Sequence, residues 1–287
     1  MQKKIKLLKN LYLTKNKPVS LILFVTNRCN ARCSFCFIDF DNEFSQNKKN
    51  ELSVEEYEKI SLNLKKSLTH LNITGGEPFL RSDLEQIVSN FINNCDLGSV
   101  IFSTNGSYPK RIKEFLENVC KKNPQVQFIF QFSIDSFPEE HDKIRKIPGL
   151  SEKTFESYNI VKNSSKNCIA TCNLTVSEQN HSKIDEIYNY LTKEKNIETI
   201  NPIIVRNEGV FSVKDDIKEK LLTAYKRLTK SITKQVKEKT LRGFSNFSFI
   251  GEVLNVKNEI SFDMIKNSYM KPKYYTHCVA GSIFGVI

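Results

Sequence analysis

Short apolar runs alternate with longer amphipathic stretches from about residue 20 onward. The runs at 20–26, 71–74, 100–103, 127–134, 169–176 and 199–205 are mostly rich in β-branched or aromatic residues and end near Gly, Asn, Asp or Pro, the signature of strands. Between them, apolar positions recur at helical spacing over 53–68, 82–92, 109–120, 152–162, 182–195 and 213–239. Ser53 and Glu56, and again Ser82 and Glu85, carry the spacing of a capping box. Six strand–helix repeats predict parallel strands with helices packed outside. Eight would close a barrel, so six predict an open, partial one, with its chemistry at the C-terminal ends of the strands.

No run approaches the roughly 18–20 apolar residues that cross a bilayer. The basic start of the chain lacks the apolar core and cleavage site of a secretory signal. The sequence therefore predicts a cytoplasmic protein with no membrane partner. Lys and Arg number 43 against 32 Asp and Glu, a formal charge of +11. Such a surface suits nucleic acid or another anionic partner. The lysines are scattered, however, and no groove motif of arginine and aromatic residues accompanies them, so solvated helix faces are the better account.

Eight cysteines in 287 residues make no disulfide framework, and a reducing compartment keeps them as thiols. Three fall close together: Cys29, Cys33 and Cys36, in the loop after the first strand. Iron–sulfur clusters are held by cysteine thiolates, usually four. Three in one loop can hold three irons of a cubane and leave the fourth open to an outside ligand. The alternatives are unrelated thiols or a zinc site, which needs a fourth ligand from as far away as His70, His141 or Cys278. Cys95, Cys120, Cys168 and Cys172 lie within amphipathic or strand patterns, where a buried small hydrophobe is the default. A second loop, Thr74-Gly75-Gly76-Glu77-Pro78, follows the second strand. Alone it is a turn before a helix. Its place opposite the cysteine loop makes it a candidate ligand seat.

The two motifs together resemble the radical S-adenosylmethionine (radical SAM) superfamily, with Cys-x3-Cys-x-aromatic-Cys at 29–36 and Gly-Gly-Glu after strand two. The resemblance covers about residues 20–210 and implies an α/β fold, a partial (β/α)6 TIM-like barrel. It implies two cofactors, a 4Fe-4S cluster on Cys29, Cys33 and Cys36 and SAM chelating the fourth iron. Gly75, Gly76 and Glu77 would receive the methionyl amine, and Phe35 would lie against the adenine. Asn105, in Ser103-Thr104-Asn105-Gly106, matches the family's turn after strand three. Ser133 and Asp135 match its polar strand end near the SAM ribose. The segment His141–Arg145 resembles the sulfatase-maturase and peptide-maturase branch, where Arg145 would pair with the SAM carboxylate; a surface salt bridge is the alternative. Asn173 is a further candidate.

His277-Cys278-Val279-Ala280-Gly281 and the apolar run after it resemble the opening of the SPASM or twitch extension. The sequence stops before the cysteines that would continue it, which predicts truncation. The expected division is a lead-in over 1–19, the barrel over 20–240, and a bridging helix with an incomplete extension over 241–287, its short helical and strand remnant. The resemblance implies a 5′-deoxyadenosyl radical that abstracts hydrogen from a peptide or protein, with a sugar or nucleoside as the alternative substrate. It implies a flavodoxin- or ferredoxin-type electron donor. The rival class is a non-catalytic protein binding metal or nucleic acid.

Overall fold

A two-residue pleat decides which side chains meet the helices. In the computed structural model, which describes residues 18–206, 212–242, 249–270 and 284–287, Leu21, Leu23, Leu71, Ile73, Val100, Phe102, Phe128, Phe130 and Phe132 are all essentially inaccessible. Their neighbours Ile22, Asn72, Ile101, Ser103, Ile129, Gln131 and Ser133 are partly exposed on the other face. The strands are β1 (Ser20–Phe24), β2 (His70–Thr74), β3 (Ser99–Thr104), β4 (Gln127–Ser133), β5 (Cys168–Val176), β6 (Ile200–Ile204) and β7 (Phe284–Val286). All pair in parallel, in the order β6-β5-β4-β3-β2-β1-β7. Helices cover the apolar face. The architecture is the expected α/β partial barrel, with a seventh strand, β7, added beside β1 that the six strand–helix repeats did not predict. Pro202 sits in β6, at the sheet edge, where a missing N–H does not break a ladder.

Beyond the single turn Glu43–Gln46, the α-helices are α1 (Val54–Leu64), α2 (Leu84–Asn94), α3 (Pro109–Phe115), α4 (Pro138–Arg145), α5 (Leu150–Lys162), α6 (Ile184–Asn189), α7 (Asp215–Lys237) and α8 (Phe249–Tyr269). α3 and α6 each run on into a π-helical turn, Leu116–Cys120 and Tyr190–Glu194. Ser53 and Glu56 form the expected capping box, Glu56 N to Ser53 Oγ at 3.3 Å and Ser53 N to Glu56 Oε2 at 2.8 Å. The second expected box does not form. α2 is entered through Asp83, which makes no side-chain cap, because Arg81 holds its carboxylate at 2.8 and 2.7 Å.

Between sheet and helices Phe79, Phe102, Phe115 and Phe130 interlock, with centroids 4.9 to 6.4 Å apart; such pairs add about 0.5–1.5 kcal/mol each beyond burial. β7 lies against β1, where Ile287 O accepts from Phe24 N at 2.7 Å. The motif at 277–281 and most of the lead-in lie outside the described residues. No helix among the described residues is long and apolar enough to cross a membrane.

Candidate active site at the rim of the sheet

The loop after β1 carries Cys29, Cys33 and Cys36, all free and half-buried. It is seated by backbone. Gly76 N and Glu77 N donate to Thr26 O and Arg28 O at 2.6 and 2.9 Å. A Cβ on Gly75 would stand 2.1 Å from Thr26 O, and one on Gly76 2.0 Å from Arg28 O. Gly75 also has φ +133, which side chains rarely adopt. The two glycines thus let one loop's backbone lie directly on the other's.

Side chains complete the seat. Glu51, ahead of α1, accepts from Thr26 Oγ1, and from Arg28 Nε and Nη2 at 2.8 and 3.2 Å. Arg81, itself buried, donates to Val25 O and Leu52 O at 2.8 and 2.9 Å. Asn105 Nδ2 donates to Asn30 Oδ1 at 2.9 Å and lies 3.9 Å from Cys29 Sγ. Nothing in the sequence marks Glu51, Asn30 or Arg81. No motif spacing includes them, and their partners are set by where the chain crosses itself.

Glu77 is wholly buried. Its Oε1 accepts from Phe79 N (3.1 Å) and Thr104 Oγ1 (2.8 Å), and Oε2 from Asn105 N (2.7 Å). Burial pushes its carboxyl up to about 7 against the pull of those bonds. Burial likewise pushes the Cys29 thiol up to about 12, with Glu77, Cys33 and Cys36 adding repulsion, and it raises Cys36. Thiols in this state release protons when metal binds.

At the end of β4, Asp135 is wholly buried. Oδ2 accepts from Arg145 Nε at 2.8 Å and Nη2 at 2.6 Å, and Oδ1 from Thr175 N at 3.2 Å. Arg145 is therefore buried on α4, in a surface salt bridge with nothing, and its guanidinium lies 5.6 Å from the Phe35 ring centroid. His141 Nδ1 accepts from Asp135 N at 3.2 Å, and burial pulls its pKa to about 4. On the inner face, Asn173 Nδ2 lies 3.5 Å from Gln131 Oε1, and its Oδ1 accepts from Asn201 Nδ2 at 2.9 Å. Ser133, beside Asn173 in register, is partly exposed.

The rim thus brings together the cysteine triplet, Phe35, Gly75–Glu77, Asn105, Asp135 and Arg145. Of the distant zinc ligands, His70 begins β2, at the far end of the sheet, and His141 is buried against Asp135. Cys278 lies outside the described residues. No group of three His, Cys, Asp or Glu among the described residues is arranged to hold a single metal ion.

An open sheet of parallel strands, with its polar and sulfur chemistry gathered at one rim, defines an α/β partial-barrel enzyme. The model of the radical SAM superfamily matches residues 23–191, more than half of the chain, and the chain belongs to that superfamily. Its cofactors are accordingly a 4Fe-4S cluster and SAM. Three free thiols in one loop, within one another's electrostatic reach, fit the cluster's donor chemistry. Such an enzyme requires a reductant and a substrate.

Among curated proteins, a GTP 3′,8-cyclase of Clostridium perfringens (strain 13 / Type A) is 26% identical over 191 residues, 65% of this chain and 53% of the relative. That of Aquifex aeolicus (strain VF5) is 33% identical over 113 residues, 37% of this chain and 34% of the relative. The chain thus spans about half or less of these relatives. Among solved structures, anSMEcpe with bound AdoMet superposes with a TM-score of 0.59 at 20% identity, over 78% of this chain and 63% of that one. Streptococcus suis SuiB bound to precursor peptide SuiA gives 0.60 at 16% identity, over 100% of this chain and 60% of that one. At these identities the likeness shows the fold.

Proposed function

We propose that this chain reductively cleaves SAM and directs the resulting radical at a carbon–hydrogen bond of a peptide or protein. The observation that carries the chemistry is the rim itself: three free thiols of one loop, seated on Gly75–Glu77, with a buried arginine beside them. When bound, the cluster, reduced by an external donor, would supply the one electron that cleaves SAM to methionine and the hydrogen-abstracting 5′-deoxyadenosyl group. Cys29, Cys33 and Cys36 would hold three irons and leave the fourth for the amine and carboxylate of SAM. The Gly75–Glu77 turn would receive the amine through its backbone carbonyls, since both Glu77 oxygens accept inside the protein. Arg145 spends Nε and Nη2 on Asp135, and its Nη1 suits the SAM carboxylate. Phe35 would lie against the adenine. Asn105 braces the loop through Asn30, while Ser133 and Asn173 would face the ribose. Asp135 uses both oxygens inside the protein, so it acts through Arg145.

The peptide reading draws on the segment His141–Arg145 and on the likeness to SuiB solved with a precursor peptide. A second reading, a purine nucleotide, is favoured by the curated relatives, which are GTP 3′,8-cyclases. We assign residues 20–240 to the catalytic barrel and 241–287 to a bridging helix and SPASM-like extension whose described end, β7, joins the barrel's sheet beside β1. A flavodoxin- or ferredoxin-type protein supplies the electron. We place the enzyme in the cytoplasm, where the free thiols stay reduced.

Anaerobic reconstitution tests the central claim. About four irons per chain and 5′-deoxyadenosine formed from SAM under dithionite are expected. A loaded cluster that never cleaves SAM refutes it. Incubation with GTP or with a tryptic digest of cell extract then separates the substrate readings. Peptides altered in mass, with 5′-deoxyadenosine formation accelerated, support the first reading; acceleration by GTP alone replaces it with the second.

A further inference from the structure

The buried pair Asp135–Arg145 is built into the cysteine loop from two directions. The backbone carbonyl of Arg145 accepts from Arg32 N at 3.1 Å, between Cys29 and Cys33 in sequence. Its guanidinium faces Phe35, between Cys33 and Cys36, at 5.6 Å from the ring centroid. Asp135 fixes that guanidinium with two bonds to one oxygen and is itself fixed by Thr175 N. The charge so placed acts on Cys29 and Cys33, on Cys36 and on Glu77. Burial keeps His141, the other titratable group against Asp135, in its neutral form at ordinary pH. One arginine is therefore electrostatically coupled to all three thiols, and one carboxylate offsets part of its charge.

Resting on the cluster assignment proposed above, we infer that the Asp135–Arg145 pair sets the reduction potential of the cluster, in addition to seating its loop. Reduction adds a negative charge to the cluster. A cation beside the ligands favours the reduced state and raises the potential, and an anion lowers it. Arg145 is the raising element and Asp135 the damping one.

The test is a redox titration of the reconstituted full chain, followed by electron paramagnetic resonance without SAM, with iron content and melting temperature measured beside it. Arg145→Met is expected to lower the midpoint potential and Asp135→Asn to raise it. Arg145→Lys, which keeps the charge and loses the fork, is expected to stay near wild type. Opposite shifts of the two charge-changing variants are the signature, because a general loosening of the loop would move both the same way. Where one of them fails to fold or load, the sign of the other against Arg145→Lys decides. Unchanged potentials in iron-loaded variants, or shifts of one sign, overturn the inference alone. A wild-type chain that binds no iron overturns the proposed function, and this inference with it.

Discussion

The described cysteines fall into two groups that share a side chain and little else. Cys29, Cys33 and Cys36 sit half-buried in a loop at the rim, among backbone amides and a guanidinium: Ala31 N approaches Cys29 Sγ at 3.3 Å. Cys95, Cys120, Cys168 and Cys172 are buried between sheet and helices, where their neighbours are mainly apolar. Burial raises the thiols of Cys95, Cys120 and Cys172, the condition of an inert core thiol. Cys168 departs from them. Hydrogen bonds from Cys120 and from the hydroxyls of Ser165 and Ser164 bring it down to about 6. What separates the groups is the backbone under them. The rim triplet stands on a loop pinned by another loop, and the core four stand on strands and helices or, for Cys95, directly after one, all of which would form with any small apolar residue.

The sharpest way to break this comparison is to delete from each side. Replacing Cys29, Cys33 or Cys36 singly with Ala is expected to abolish iron retention and 5′-deoxyadenosine formation, while the iron-free protein stays within about 1 kcal/mol of wild type, as partly exposed positions do. Iron assay and thermal unfolding check it. A rim cysteine whose loss leaves iron at wild-type level would dissolve the distinction.

Gly75→Ala and Gly76→Ala come next. Each drives a Cβ into the backbone of the cysteine loop, and Gly75 adds a backbone conformation unsuited to Ala. We expect each to cost about 3 kcal/mol and to lower iron content with every cysteine still present. That outcome would show that the triplet depends on its seat.

Cys172→Ala should do the reverse. It is expected to cost about 1–2 kcal/mol through a small cavity and to leave iron content unchanged, again read by iron assay and melting temperature. A loss of iron here would mean that the core thiols take part in the site.

Much of this contrast was legible in the sequence. Cys29, Cys33 and Cys36 announce themselves by spacing, and the apolar runs marked the six strands, though with Ile22 and Phe24 as apolar as Leu21 and Leu23 the run does not say which face of β1 is buried. Burial of the other cysteines followed from the apolar pattern around them. The glycines were legible as conformational devices, yet their partner was not. The turn after β2 was expected to receive a ligand, and the spacing gave no sign that its glycines also admit the carbonyls of Thr26 and Arg28. Arg145 was open to a surface reading because a short charged helix looks the same whether it is buried or not. Only Asp135, ten residues away, decides that. The second capping box failed for a similar reason: Arg81 competes for Asp83, and no local pattern weighs a side chain from outside the helix. Glu51 is invisible for want of any motif.

The smallest expected effect concerns two groups that blur the comparison, for Glu77 and His141 lie at the rim yet are as buried as the core thiols. In the cofactor-free protein Glu77 titrates near 7 instead of 4.5. Between those values the folded state binds more protons than the unfolded one, so stability falls as pH rises, and the loss is complete above about 7. His141 titrates near 4 instead of 6.5. There the unfolded state binds more protons, so stability rises with pH over that window and is lost on acidification. The two slopes oppose each other where the windows overlap, and wild type should show a shallow dependence. Glu77→Gln leaves the rising limb, so its melting temperature should climb relative to wild type as pH increases from 5 to 7, by a few degrees for a chain of this size. His141→Gln leaves the falling limb and should show the opposite trend. Parallel curves for both variants and wild type would mean that neither group is buried in the charge state the rim geometry imposes, and that the rim is wetter than the core in this respect too.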